Sequence, residues 1–235
     1  MSTKHNISIS GLLNTVVDTD KVPKRLLELN LNLTDLLEVI HMTLYARNTI
    51  TDFDVPGSRG DAIYRKGNLF LREKFVGHGG WELATDNHLA GIIHPELGIR
   101  ILVQNVVKAC DEFVIPQPIS EKGTSSTYIA EGNLKEYQCT HLSFDFYNNA
   151  EAIEQVKKAN GLDEQTVKLY YLMIDAQNNV ELSRPIIVNG KFKDCIERLF
   201  IYKANTDFDV THPQTDDSNQ DVDDCLDFHI TPKTQ

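Results

Sequence analysis

The clearest periodicity in the chain is helical. Leu33, Leu36, Leu37, Ile40 and Leu44 recur at intervals of three and four, with Asp35 and Glu38 facing away. That spacing gathers apolar side chains on one stripe of an α-helix. Asn32 or Thr34 is placed to cap it. Its end is expected near Thr49, because Asp54-Val55-Pro56-Gly57-Ser58-Arg59-Gly60 is turn chemistry. Asp20 followed by Pro23 predicts a short helix over 23–29. A third helix is expected over 68–75, with Leu69, Phe70 and Phe75 inward, and a fourth over 150–159, opened by Asn149 and stopped by Asn160-Gly161.

Elsewhere the period shortens to two. Ile7 and Ile9 suggest a first strand, and residues 81–85, 89–94 and 99–107 read as three in succession, the last two joined by a turn at Pro95–Gly98. Leu142, Phe144 and Phe146 alternate as a further strand. Residues 167–174 and 180–182 form a hairpin across 175–179. Asn189-Gly190 is the strongest two-residue hairpin signal, between 186–188 and 191–192, and 196–202 closes the series. Residues 110–138 carry Pro116, Pro118, Gly123 and Gly132 and read as a long loop, a soft boundary between two halves. The prediction is an α+β fold of mostly antiparallel, hairpin-linked strands with three to four helices, one domain over 1–203.

Charge then divides the chain. From Ala204 to Gln235 there are eight aspartates and one lysine, a net −7 out of the formal −11 of all 235 residues. Residues 204–235 are therefore read as an acidic tail. Asp216, Asp217, Asp221, Asp223 and Asp224 precede Leu226 and Phe228, an arrangement suited to engaging a protein partner with a basic surface. The same balance counts against direct binding to nucleic-acid phosphate. Asp217–Asp221 imitates the start of a calcium loop, but Val222 stands where glycine is needed and Phe228 where glutamate closes the loop. No apolar run is long enough to span a bilayer, and the polar N-terminus is not that of a signal peptide. The four cysteines are scattered, as expected of reduced thiols in the cytoplasm.

Three constellations carry candidate chemistry. Asp86, His88 and His94 would share a face if residues 86–94 formed one strand, and imidazole with carboxylate is sound ligand chemistry for a divalent metal; His78 and Glu96 lie nearby. Lys122, Gly123 and Thr124, with Arg59, offer contacts for an anion. They do not make a nucleotide-hydrolysing loop, because the lysine precedes the glycine and the upstream glycine is missing. No nucleophile elbow occurs.

Gly80-Trp81, Gly91-Ile92, Gly98-Ile99-Arg100-Ile101, Gln104-Asn105, Ala109-Cys110-Asp111 and Ser120-Glu121-Lys122-Gly123 form a series, extended by Glu181-Leu182-Ser183, Pro185 and Glu197-Arg198-Leu199-Phe200. Over residues 55–201 this series resembles a family without a settled activity, encoded on plasmids and integrating mobile elements. The resemblance implies a bacterial or phage cytoplasm and a neighbourhood of defence and counter-defence functions; it assigns no catalytic residue. Together these features point to a non-enzymatic cytoplasmic protein acting by macromolecular interaction, an accessory factor of such an element, with no cofactor expected. The alternative is a metal-dependent hydrolase or nuclease built on residues 78–96. A further alternative is a small anion or nucleotide binder. Convergence of Arg59, Lys122, His88 and His94 on one cleft would favour an enzyme. Oligomeric state is not legible.

Overall fold

The computed structural model describes residues 16–85, 89–146 (139–146 as backbone only) and 167–204. A 3-10 turn at Thr19–Lys21 leads into α1 (Val22–Glu28), α2 (Leu33–Asn48) and α3 (Ser58–Phe75). Strands β1 (Glu82–Ala84), β2 (Gly91–His94) and β3 (Ile99–Asn105) follow, then α4 (Thr124–Ile129) and α5 (Glu131–Phe146), then β4 (Lys168–Ile174), β5 (Val180–Val188) and β6 (Lys191–Tyr202). The six strands form one sheet in sequence order. Every neighbouring pair is antiparallel except β3 and β4, which run parallel because α4 and α5 carry the chain back across the sheet. The fold is α+β, with five helices among the described residues where three to four were expected.

Alternation along the central strands sends side chains to two cores. Ile99, Ile101, Val103, Tyr170, Leu172, Ile174, Leu182 and Leu199 face α1–α3, where Leu26, Leu36, Ile40, Ile63 and Leu71 meet them. Leu102, Leu169, Tyr171, Met173, Phe192 and Phe200 face the other way, under the 106–118 segment and Ala130. Both faces are covered, so β4 reads as a continuous apolar run rather than an alternating one.

Several local expectations hold in detail. Helix α2 is capped by Asn32, whose Oδ1 accepts from Thr34 N at 2.8 Å. Asn189 and Gly190 take φ of 51° and 73°, as a two-residue hairpin turn requires, between the paired Val188 and Lys191. Others need correction. Helix α3 starts at Ser58, ten residues before Asn68, and runs through Gly67, whose place against the sheet leaves no room for a side chain: a Cβ there would stand 2.9 Å from Val103 Cγ1. The 110–138 segment is only partly loop, since α4 and the start of α5 fall within it. Leu142, Phe144 and Phe146 continue α5 and form no strand. β5 and β6 are two long strands where shorter fragments were expected, with register shifts at Arg184/Pro185 and Ile186/Ile187. The expected elements at Ile7–Ile9 and 150–159 lie outside the described residues.

Pro185 explains one irregularity. Proline cannot donate to a ladder, and β4–β5 pairing stops at Tyr171–Ser183. The buried Asn133 of α5 fills the gap. Its Nδ2 donates to Leu169 O (2.8 Å) and Pro185 O (2.9 Å), and its Oδ1 accepts from Leu169 N (3.2 Å) and Arg184 Nε (2.9 Å). A side-chain amide thereby stands in for a missing strand residue and fastens α5 to the sheet.

Candidate functional site

At the end of the sheet where β3 and β4 finish, four segments meet. Arg47, in the last turn of α2, donates to Asp175 O (3.1 Å), Ala176 O (2.7 Å) and Asn178 Oδ1 (2.7 Å) in the β4–β5 turn. Asp175 is buried and accepts from the backbone of Ala109, Gln177 and Asn179. Asn105 Nδ2 donates to Gly60 O at 2.8 Å, joining β3 to the start of α3. Ala204 N donates to Asn179 Oδ1 at 3.2 Å, so the acidic segment leaves the sheet at this same end.

Two aromatic side chains stand in solvent here: Phe53 is 101% exposed and Phe113 94%, accompanied by Val55, Val107 and Ile119. Leaving a phenylalanine in water forgoes roughly 1.5–3 kcal/mol of burial. Both are held by ordered backbone. Thr51 N and Oγ1 donate to Asp54 Oδ2 (2.8 and 3.1 Å), and Phe53 N donates to Thr51 Oγ1 (3.3 Å). Phe113 N donates to Asp111 Oδ1 (2.8 Å), and the carbonyls of Asp111 and Val114 on either side accept from Arg198 Nη1 (2.8 and 3.1 Å). Arg198 is itself fully buried, bound through Nε and Nη2 to both oxygens of the equally buried Glu181. Glu181 also accepts from Ser183 Oγ (2.7 Å) and Cys110 N (2.6 Å). Burial pushes the Cys110 and Cys195 thiols well above their ordinary range, so neither is poised as a nucleophile.

Among the described residues, Arg59, Lys122 and His94 are not gathered in one place. Arg59 lies on α3 and bonds Asp52 Oδ1 (3.0 Å) on the helical side of the sheet. Lys122 lies on the opposite side, donating to Gln104 at the end of β3. Gly123 caps α4, whose six residues begin at Thr124. His94 is at the far end, paired with Ile99 at the start of β3. It packs edge-on to Trp81, accepts at Nδ1 from Leu97 N (3.4 Å), and sets Nε2 3.1 Å from Asn30 Nδ2. β2 begins at Gly91, so Leu89 and Ala90 fall outside the strand expected over 89–94. Asp86, His88 and the acidic segment, with Asp216, Asp217, Asp221, Asp223, Asp224, Leu226 and Phe228, lie outside the described residues. Among the described residues, no group of three or more His, Cys, Asp or Glu is placed to hold a metal ion, and no helix is long and apolar enough to cross a membrane.

A cleft of about 480 Å³ between the α1–α2 turn and the α3–β1 turn is floored by Leu31, Phe75 and Trp81 and rimmed by Asp35, Glu73 and His78. Much of its rim is already engaged: Lys74 pairs with Asp35 (3.3 Å) and with Glu38, while Asn30 donates to Gly79 O. No family model, curated protein or solved structure matches this chain. The exposed aromatics were missed from sequence because phenylalanine in a short turn gives no sign of which way it points.

Proposed function

We propose that this protein acts in the cytoplasm without catalysis of its own, as an interaction factor of a mobile element or phage. In this reading it binds a protein partner through the end of the sheet that displays Phe53 and Phe113. The observation that carries the reading is that two fully exposed aromatic side chains are displayed on turns whose backbone is hydrogen-bonded. Rigid aromatic anchors lose little entropy on docking and are the side chains that dominate binding energy at interfaces. The net −7 of residues 204–235 leaves the sheet at this end, which favours a partner with apolar pockets in a basic surround. The tail would speed encounter and the aromatics would hold the complex.

The test is affinity capture with partners identified by mass spectrometry, followed by binding kinetics on the recovered partner. A Phe53→Ser, Phe113→Ser variant is expected to raise the dissociation rate at least about tenfold. Changing Asp216, Asp217, Asp221, Asp223 and Asp224 to asparagine is expected to slow association and flatten its salt dependence. Unchanged kinetics in both variants would remove this surface from the protein's function.

A further inference from the structure

Lys122 lies in the β3–α4 connection, where its backbone N–H donates to Gly190 O at the β5–β6 turn (2.8 Å). Its ammonium donates to Gln104 Oε1 and rests 5.0 Å from the centre of the Tyr171 ring. Lys122 is half-buried, and an amide oxygen and a ring face answer only part of the demand of a cation partly taken out of water, which is best met by a negative partner. Among the described residues none is supplied: burial alone acts on this amine, pulling it down to about 8. The Tyr171 hydroxyl beneath it is buried, with only a loose contact to the Ser126 hydroxyl. Ser126, buried in the first turn of α4, lies close enough to ease ionisation of Tyr171, and Arg100 acts on the same ring in the same sense. An unbalanced cation and a poorly satisfied donor thus adjoin on one side of the sheet. Each is a cost to folding, and one partner satisfies both.

We propose that Lys122, Tyr171 and Ser126 form a binding site for a small oxyanion, a carboxylate or a tetrahedral anion such as sulfate or phosphate. A monoanion would balance the ammonium, and its oxygens would accept from the ammonium and both hydroxyls. Water would satisfy the hydroxyl but leave the charge unbalanced. Arg59 does not belong to this site, since Asp52 holds it on the other face. The six-residue α4 contributes its serine, not its terminus.

Sulfate and acetate are the probes, because neither titrates between pH 6 and 10. In the full-length protein at pH 7, either anion replacing chloride at constant ionic strength is expected to raise Tm by about 3–5 °C at tenfold excess over Kd. The apparent affinity is expected to fall about tenfold per pH unit above pH 8, as Lys122 loses its proton. Lys122→Met should abolish the response. Tyr171→Phe removes a hydroxyl whose one neighbour is the loosely placed Ser126, so it should change the unliganded Tm little while weakening binding several-fold. A response to acetate alone assigns a carboxylate, and a response to sulfate alone a tetrahedral anion. The proposal is overturned if neither anion stabilises, if Lys122→Met responds equally, or if affinity is flat from pH 7 to 10.

Discussion

Removing the Glu181 carboxylate strands a guanidinium. Arg198 and Glu181 are both 0% exposed, and the carboxylate accepts four hydrogen bonds, two of them from Arg198 at 2.6 and 3.0 Å. In Glu181→Ala the charge of Arg198 stays buried without a counter-charge, and Cys110 N loses its acceptor. Breaking one side of such a pair costs about 3–5 kcal/mol, a large part of a typical total of about 5–15 kcal/mol. Glu181→Leu combined with Arg198→Met leaves no charge behind. Its remaining cost is the lost donors to Asp111 O and Val114 O, about 1 kcal/mol each, besides the acceptor of Cys110 N and Ser183 Oγ that either Glu181 variant loses. The double variant should therefore be more stable than Glu181→Ala, and against the single Glu181→Leu and Arg198→Met variants it should show a coupling of about 2 kcal/mol or more, read by urea unfolding with unchanged m-value. Hydrogen exchange should then show amides 109–114 opening faster while β4 stays protected, and partner binding should weaken because Phe113 has lost its support. A loss below about 1 kcal/mol in Glu181→Ala, or effects that simply add, would refute the reasoning.

Asn133→Leu deletes four hydrogen bonds around Pro185 and should cost about 2–4 kcal/mol in urea unfolding. Gly67→Val places a side chain against Val103 and Thr43 and should cost about 1–3 kcal/mol by overpacking, seen as a lowered Tm. Lys122 supplies a pH prediction. Its amine titrates near 8 in the fold and near 10.4 when unfolded. Between those values the unfolded chain holds a proton that the folded chain does not, so stability gained from this group rises with pH and is complete above about 10.4. Lys122→Met should be the more stable protein at pH 7, by at most about 3 kcal/mol, with the difference vanishing by pH 10.5 in parallel melts.

Legibility followed locality. Helix α2 was readable because its stripe and its Asn32 cap are properties of neighbouring residues, and the Asn189-Gly190 turn for the same reason. The first half of α3 was not, because Gly60, Gly67 and several charges look like a loop. Ile63, Gly67, Leu71 and Phe75 do repeat every fourth residue, but a glycine signals burial only when the strand it touches is known. Leu142, Phe144 and Phe146 show that three alternating residues cannot separate a strand from a helix. Pro185 broke β5 into fragments on paper, since the amide that replaces its missing donor lies 52 residues upstream at Asn133. Lys122 was visible as a charge, but its burial depends on Gln104 and Tyr171, placed beside it only by the β3–β4 pairing.

The two faces of the sheet divide the work of the fold. The face toward α1–α3 is held mainly by apolar area, with a few polar ties such as Arg25 and Tyr170 to Glu197 and Asn105 to Gly60 O. The other must cover itself with irregular chain, whose backbone groups need partners once buried. Its polar side chains meet that need: Arg198 serves the 106–119 segment, Asn133 serves Leu169 and Pro185, and Asp175 serves Ala109 and the turn that follows β4. Each returns backbone satisfaction for its desolvation. The Lys122 ammonium returns none, since its hydrogen bond goes to another side chain and an apolar residue of the same length would pack against Tyr171 without burying charge. An oxyanion bound there would offset that cost at Lys122, as it would not at the arginines already paired with carboxylates.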